Sequence, residues 1–362
     1  MSLIGEGATS IEIREVSLPL QRPYRSGSTS IAARSMLLLR IGAGGLSGWG
    51  ECAPMPGYSE ESLEACRRWL CRLAESMIGT SPPPGAGPAA ARFAAETAGA
   101  DLEARRLAQP LWLRLGADRD RVEVGAVIGA DVADGDLPGV AEGLAADGYR
   151  RIKLKVTPDT ALKRAAALRR ALPDHDLAVD ANGSFDPGDP LLPLRLDALG
   201  LSFIEQPFPA AAWRAHTVLS ARAETPICLD ESIDGVPAVN RALDSGAASI
   251  INVKPARLGG LAAAREVHDA ARDRGAPVWC GGMVEGGVGK AAALTVAALP
   301  GMALPADLPP SRRHFAEDLV IPPWEMSDGC LHLRPGPGLG AVPDPVLLDR
   351  HTVGLARFGD VG

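Results

Sequence analysis

Two rhythms of apolar and polar positions divide the chain. In the first third, Ile11–Leu20 alternates apolar and polar residues, Ser35–Ile41 is a short apolar run, and Leu46–Pro54 follows a Gly-Ala-Gly-Gly turn. Alternation and short runs bounded by turn residues predict strands. Ser59–Met77 then takes helical spacing, with Ser59 the expected N-cap ahead of Glu60 and Glu61. The Pro/Gly-rich stretch Gly79–Pro88 cannot continue that helix, and helical spacing resumes over Ala89–Arg106. Residues 1–120 therefore read as an α+β unit.

From residue 121 the rhythm changes. Short β-rich runs recur at Arg151–Val156, Leu177–Asn182, Ser202–Pro207, Ile227–Ser232, Ser249–Pro255 and Pro277–Met283. Between them lie stretches of helical spacing such as Thr160–Leu172 and Gly260–Arg274. Strand and helix alternating at this length predict parallel βαβ units. Residues 121–319 are read as a (β/α) barrel, with Ala303–Leu308 as its last strand. The tail, 320–362, contains Pro335–Gly340 and is expected to return to the N-terminal unit.

The charged residues fall into register with the strands. Lys155, Asp180, Glu205, Asp230 and Lys254 follow one another at intervals of 24–25 residues, each closing an apolar run. In a closed barrel these strand ends meet on the rim that carries catalytic groups. An open doubly wound sheet would spread them along an edge, and no G-x-G-x-x-G turn supports that alternative.

Asp180, Glu205 and Asp230 would repel one another unless a cation joined them. All-oxygen ligation suits a hard ion, Mg²⁺ first and Mn²⁺ as its alternative. Lys153 and Lys155, two apart on a strand, point the same way into the barrel. Their burial and mutual repulsion are expected to favour a neutral amine, the form a general base needs. Lys254 faces Lys155 across the three carboxylate strands, which suits removal of a proton from either face of a substrate. Glu231 is expected to point away from Asp230 and support it from behind; Asn182 and Asn252 share faces with Asp180 and Lys254 and can orient ligands or substrate.

Composition narrows the classes. The chain has 362 residues, enough for a barrel and a smaller unit, and a formal charge of −7 with no basic cluster, which argues against nucleic acid. No apolar run is long enough to span a membrane, and the N-terminus lacks the apolar core of a signal peptide. Six scattered cysteines without a C-x-x-C pair predict reduced thiols in a cytoplasmic protein. The six histidines, His175, His216, His268, His314, His332 and His351, all fall in expected helices or loops, which argues against a histidine base.

At this point RIKLK (151–155), VDAN (179–182), IEQP (204–207), LDES (229–232), INVKP (251–255) and GGMVEGGVG (281–289) resemble the muconate-lactonizing subgroup of the enolase superfamily. TPICLDESI (225–233), PVWCGGM (277–283) and PGPGLG (335–340) look most like its o-succinylbenzoate synthases and N-acylamino acid racemases. The resemblance implies a modified (β/α)7β barrel capped by the N-terminal region together with the C-terminal tail. It implies Lys155 and Lys254 as the acid/base pair and Asp180, Glu205 and Asp230 as Mg²⁺ ligands, acting on a small-molecule carboxylate. A homo-oligomer is compatible with it. Capping loops at Tyr24–Ser30 and Cys52–Ser59 would select the substrate, with Met55 and Tyr58 as pocket residues, and Gly282, Met283 and Glu285 would lie at the seventh strand end. Three departures touch the substrate rather than the chemistry: Val127 and Ile128 where a hydroxyl residue is usual, Ser28 or its neighbours where an aromatic is usual, and Lys290 where an arginine is usual. A muconate-type cycloisomerase remains a rival. A dipeptide epimerase is disfavoured, because only Asp307 of its Asp-x-Asp pair is present. A Schiff-base lyase using either lysine is the mechanistically distinct alternative.

Overall fold

The computed structural model describes residues 8–26, 29–55 and 61–360, without the side chains of 24–26 and 29. In chain order its strands are β1 (Ser10–Ser26), β2 (Thr29–Ala43), β3 (Leu46–Cys52), β4 (Arg121–Glu123), β5 (Ala126–Ile128), β6 (Arg151–Lys155), β7 (Asp176–Asp180), β8 (Ile204–Glu205), β9 (Ile227–Leu229), β10 (Ile250–Val253), β11 (Val278–Cys280), β12 (Cys330–His332) and β13 (Thr352–Gly359).

The N-terminal strands form an antiparallel sheet in the order β13-β1-β2-β3. Strand β2 is apolar on both faces because both are covered. Leu37, Leu39 and Ile41 pack with helices α1 (Leu63–Met77) and α2 (Ala89–Arg106). Met36 and Leu38 join the core that runs on into the parallel sheet. Helix α2 lies close on β3: a Cβ on Gly48 or Gly50 would run into the carbonyls of Ala98 and Ala94. Helix α1 starts later than the pattern predicts. Its cap is Ser62, whose hydroxyl accepts from the Ala65 N–H; Ser59 lies outside the described residues.

The second sheet is parallel, curled and seven-stranded, in the order β11-β10-β9-β8-β7-β6-β5. Its strands are buried on both faces, as near-continuous apolar runs require. The expected strand Ala303–Leu308 is reduced to isolated bridges. Met302 and Asp307 pair with Val278 and Gly281, and Ala306 with Val124, so this segment touches both ends of the sheet. Its prolines and turns leave too few backbone partners for a continuous ladder. Inside the sheet, Ala178, Phe203, Cys228, Ile250 and Trp279 form a separate floor. The Arg151 guanidinium stacks on the rings of Phe203 and Trp279 at 4.9 and 4.3 Å.

The tail runs back to the first sheet. Leu111 N–H donates to Gly338 O at 2.7 Å, and Leu339 N–H to Asp101 at 2.7 Å. Strand β13 then pairs with β1, Ser10 opposite Gly359. Two buried charges from the antiparallel sheet grip the loop after β11. Arg34 donates to the carbonyls of Ala53, Pro54, Met283 and Val284. Glu51 accepts from the N–H groups of Gly286 and Gly289 at 2.7 and 2.9 Å. His332, expected in a loop or helix, lies in β12, which pairs with β4. No helix among the described residues is long and apolar enough to cross a membrane.

Candidate active site

Parallel pairing puts the strand ends side by side. Lys155 is the cross-strand partner of Asp180, and Asp180 of Glu205. One cavity of about 400 Å³ opens above them, lined by Lys153, Lys155, Asp180 and Lys254. Met55, Gly282 and Met283 line it as well. Glu205 and Asp230 lie beneath, fully buried. Tyr58 and Ser28 are outside the described residues.

Lys155 Nζ donates to Asn182 Oδ1 at 2.7 Å and stands 3.6 Å from Asp180. Asn182 in turn donates to Glu231 Oε1 at 3.0 Å, so Glu231 supports the lysine side of the site as well as standing next to Asp230. Lys254 Nζ is 2.8 Å from Asp230, which is also bonded to the Arg257 guanidinium. Burial disfavours the Asp230 carboxylate, but Arg257 and Lys254 outweigh that and hold its pKa well below the usual range. Burial likewise opposes the Lys254 ammonium, and Asp230 reverses the effect, so its pKa is raised.

The expectation of a neutral amine fails at Lys153. Its Nζ lies 2.5 Å from Glu205, 2.6 Å from Asp307 and 3.7 Å from Asp180. Burial disfavours the charge, but these three carboxylates outweigh it and raise the pKa well above the ordinary lysine value. Lys153 is a fixed cation. The unforeseen partner is Asp307, which also pairs with Arg151 at 3.1 Å.

The turns after β7 and β8 hold the constellation together. Asn182 and Gln206 both adopt left-handed backbone, φ 45° and 38°. That conformation is tolerable for Asn and costly for Gln, and such residues cluster where structure over-determines them. Gln206 is over-determined: its Oε1 accepts from the N–H groups of Asp230 and Ser232, and its Nε2 donates to Phe208 O and Ser232 Oγ. Asn252 donates to Glu205 at 2.7 Å. At the end of β11 only glycine fits, because a Cβ on Gly281 would lie 2.8 Å from Lys254 Cε. Glu285 does not line the cavity; it accepts from the Met283 N–H at 2.8 Å and fixes the loop. Lys290 is buried and donates to Pro309 O at 2.7 Å, outside the cavity.

Arg257, Gln206, Arg34 and Glu51 were not foreseen, and Asp307 was noted only as half of an Asp-x-Asp pair. Gln206 sits inside the IEQP run and Arg257 three residues after Lys254, so position alone could have flagged them. His314 corrects the reading of the histidines: it lines the cavity. Burial, with Lys290 and Arg313 nearby, pushes its pKa down to about 3, so it is neutral.

The donor chemistry of Asp180, Glu205 and Asp230 fits a hard divalent ion. As the side chains stand, no three acidic, cysteine or histidine groups converge as ligands among the described residues. Lys153, Lys254 and Arg257 are drawn in between the carboxylates instead, which is what buried anions require.

The chain is similar to known proteins over nearly its whole length. Residues 138–347 match the family model described as Enolase C-terminal domain-like. The N-succinylamino acid racemase of Amycolatopsis sp is 37% identical, over 97% of this chain and 99% of that protein. The o-succinylbenzoate synthase of Geobacillus kaustophilus is 35% identical, over 94% of each. A crystal structure of an enolase superfamily member from Listeria innocua superposes with a TM-score of 0.91 at 29% identity, covering 97% of this chain and 99% of that one. With its curled parallel sheet, its antiparallel cap sheet and this breadth of likeness, the chain is an enzyme of the enolase superfamily.

Proposed function

We propose that this enzyme removes the proton α to a substrate carboxylate, with Lys155 and Lys254 as the acid/base pair, in the manner of an o-succinylbenzoate synthase or N-acylamino acid racemase. The observation that carries the reading is that these two lysines, on strands separated by the three carboxylate-bearing strands, line one cavity. A proton leaving one face of a flat enolate can be taken by one lysine and returned, to the other face or to a leaving group, by the other. Asn182, backed by Glu231, aims Lys155. Asp230 and Arg257 hold Lys254, and Gly281 leaves room for its stem.

Asp180, Glu205 and Asp230 would hold Mg²⁺, or Mn²⁺ in its place, once Lys254 and Arg257 swing aside from Asp230. Bound there, the ion supplies neutralisation of the charge that develops on the carboxylate oxygens. Lys153 and Asn252 keep Glu205 oriented from below. The 302–307 segment completes the ring of strands, giving the modified (β/α)7β barrel, and the antiparallel sheet acts as its cap.

The test is α-proton exchange in D₂O with Mg²⁺, followed by NMR on N-acylamino acids, beside dehydration of the synthase substrate. Exchange on an N-acylamino acid, lost about 10²–10⁴-fold in both Lys155→Ala and Lys254→Ala, is expected for a racemase. Dehydration without exchange marks elimination. Activity that survives in both variants removes the lysines from the reaction.

A further inference from the structure

Glu231 borders a second cavity, of about 390 Å³, that shares no lining residue with the first. Its walls are the segments after β8 and β9, which run into the helices Trp213–Ser220 and Val236–Asp244. The walls are tied to each other. Ser232 Oγ donates to Ala210 O at 3.0 Å, and the Ser232 N–H donates to Gln206. The space is therefore preformed, as ligand cavities usually are.

Charges of both signs face it with their bonding capacity unspent. Glu231 Oε2 is buried and has no hydrogen-bond partner among the described residues, a costly state for a carboxylate oxygen. Asp234 and Arg241 are exposed and form no ion pair, with each other or with any other described residue. Arg241 lies only over the Trp213 ring, 4.6 Å from its centroid. The two helices begin at the wall without a side-chain cap, and their positive ends add to Arg241. Ala210 and Pro237 supply apolar wall. A simple cation would be repelled by Arg241, and a simple anion by Glu231 and Asp234. A small molecule carrying both charges answers each side.

We infer that this second cavity binds a zwitterion, a free α-amino acid with an apolar side chain, its ammonium on Glu231 and Asp234 and its carboxylate on Arg241. The occupant differs from the substrates proposed above, whose nitrogen is acylated and uncharged. It reaches the reaction through one carboxylate: Glu231 Oε1 accepts from Asn182, and Asn182 Oδ1 accepts from Lys155. An ammonium on Oε2 competes for Glu231 and loosens Asn182. Proton transfer by Lys155 then slows, while Lys254, held by Asp230, is untouched. This consequence rests on the reaction proposed above; the binding site does not.

The test compares, by calorimetry, L-leucine with L-leucinamide and 4-methylpentanoate, which lack the carboxylate and the ammonium respectively. The unaltered enzyme is expected to bind leucine at least about tenfold more tightly than either. Arg241→Ala should bring leucine down to the level of leucinamide, and Lys254→Ala, in the first cavity, should leave it unchanged. No binding of leucine, equal binding of the three, or binding weakened by Lys254→Ala and not by Arg241→Ala overturns the inference. Proton exchange is then followed on both enantiomers of an N-acylamino acid, whose α-protons face opposite lysines. Saturating leucine should slow the enantiomer more dependent on Lys155 by about fivefold and spare the other. Arg241→Ala, with parental turnover when leucine is absent, should abolish that asymmetry. Binding without asymmetry refutes the route through Asn182 and keeps the site. Leucine bound as expected, with exchange on neither enantiomer, removes the proposed reaction alone.

Discussion

Lys153 and Lys155 stand two residues apart on one strand and point the same way, yet they inhabit different regions of the molecule. Below, Lys153 is clasped by Glu205, Asp307 and Asp180 over the ring of Trp279, with Arg151 stacked next to it. Above, the Lys155 side chain is 16% exposed and rests on an amide oxygen. The floor is a neutralised charge cluster whose groups have no partner to give up cheaply. The rim keeps its charges where a ligand can compete for them. Burying a charge demands a partner within reach, so depth, more than residue type, separates a lysine clasped by carboxylates from one a ligand can reach.

Substitutions can pull the two regions apart. The largest effect is expected from Glu205→Gln, which touches both. It removes one anionic donor at nearly constant shape, so Mg²⁺-dependent turnover should fall by about 10⁴-fold while circular dichroism stays that of the parent. Retained activity would take Glu205 out of the ligand set. Next comes Arg151→Met, confined to the floor. It strips a buried partner from Asp307 and two ring contacts, and should lower stability in urea by about 4 kcal/mol, with a far smaller loss of turnover per folded molecule. Equal damage to turnover would mean that floor and rim are one unit.

The smallest effect concerns His216, which lies behind Gln206 and accepts weakly from the Phe208 N–H at 3.4 Å. Burial pushes its pKa down to about 4 from the ordinary 6.5. The unfolded chain therefore takes up a proton near pH 6.5 that the folded chain refuses until about pH 4. Stability falls as pH drops through that window and is flat above it, an effect on the order of 3 kcal/mol. Urea midpoints at pH 4.5 and 7.5 should differ less in His216→Phe than in the parent; an unchanged difference assigns the acid sensitivity elsewhere.

Much of this was legible in the sequence because it depended on period. Strands β6 to β10 end in charges at nearly equal intervals, and parallel pairing turns equal intervals into adjacency. The same reasoning placed Lys155, Asp180 and Lys254 around one cavity, and the family resemblance placed Gly282, Met283 and Met55 there. It failed where a partner comes from a distant, irregular segment. Asp307 sits among prolines with only single bridges to its neighbours, so nothing periodic announced that it would hold Lys153. The expectation of a neutral Lys153 fell with it. Arg34 and Glu51 look like polar positions of an ordinary half-buried sheet; only the docking of that sheet on the loop after β11 gives them their carbonyl and N–H partners. The cap of α1 is Ser62, three residues beyond Ser59, because the hydroxyl that reaches an N–H of the first turn is that of Ser62.

The pairing of β1 with β13 has a consequence for how the molecule comes into being on the ribosome. Strand β1 is completed by β13, Ser10 opposite Gly359, with the whole parallel sheet made in between. Domains generally acquire structure in the order of synthesis, but here the antiparallel sheet must wait with an open edge until β13 has been made. A nascent chain stalled before β13 would hold all the lysines and carboxylates of the site beside an unfinished sheet. The unpaired β1 edge is the stretch that chaperones would have to shield until then.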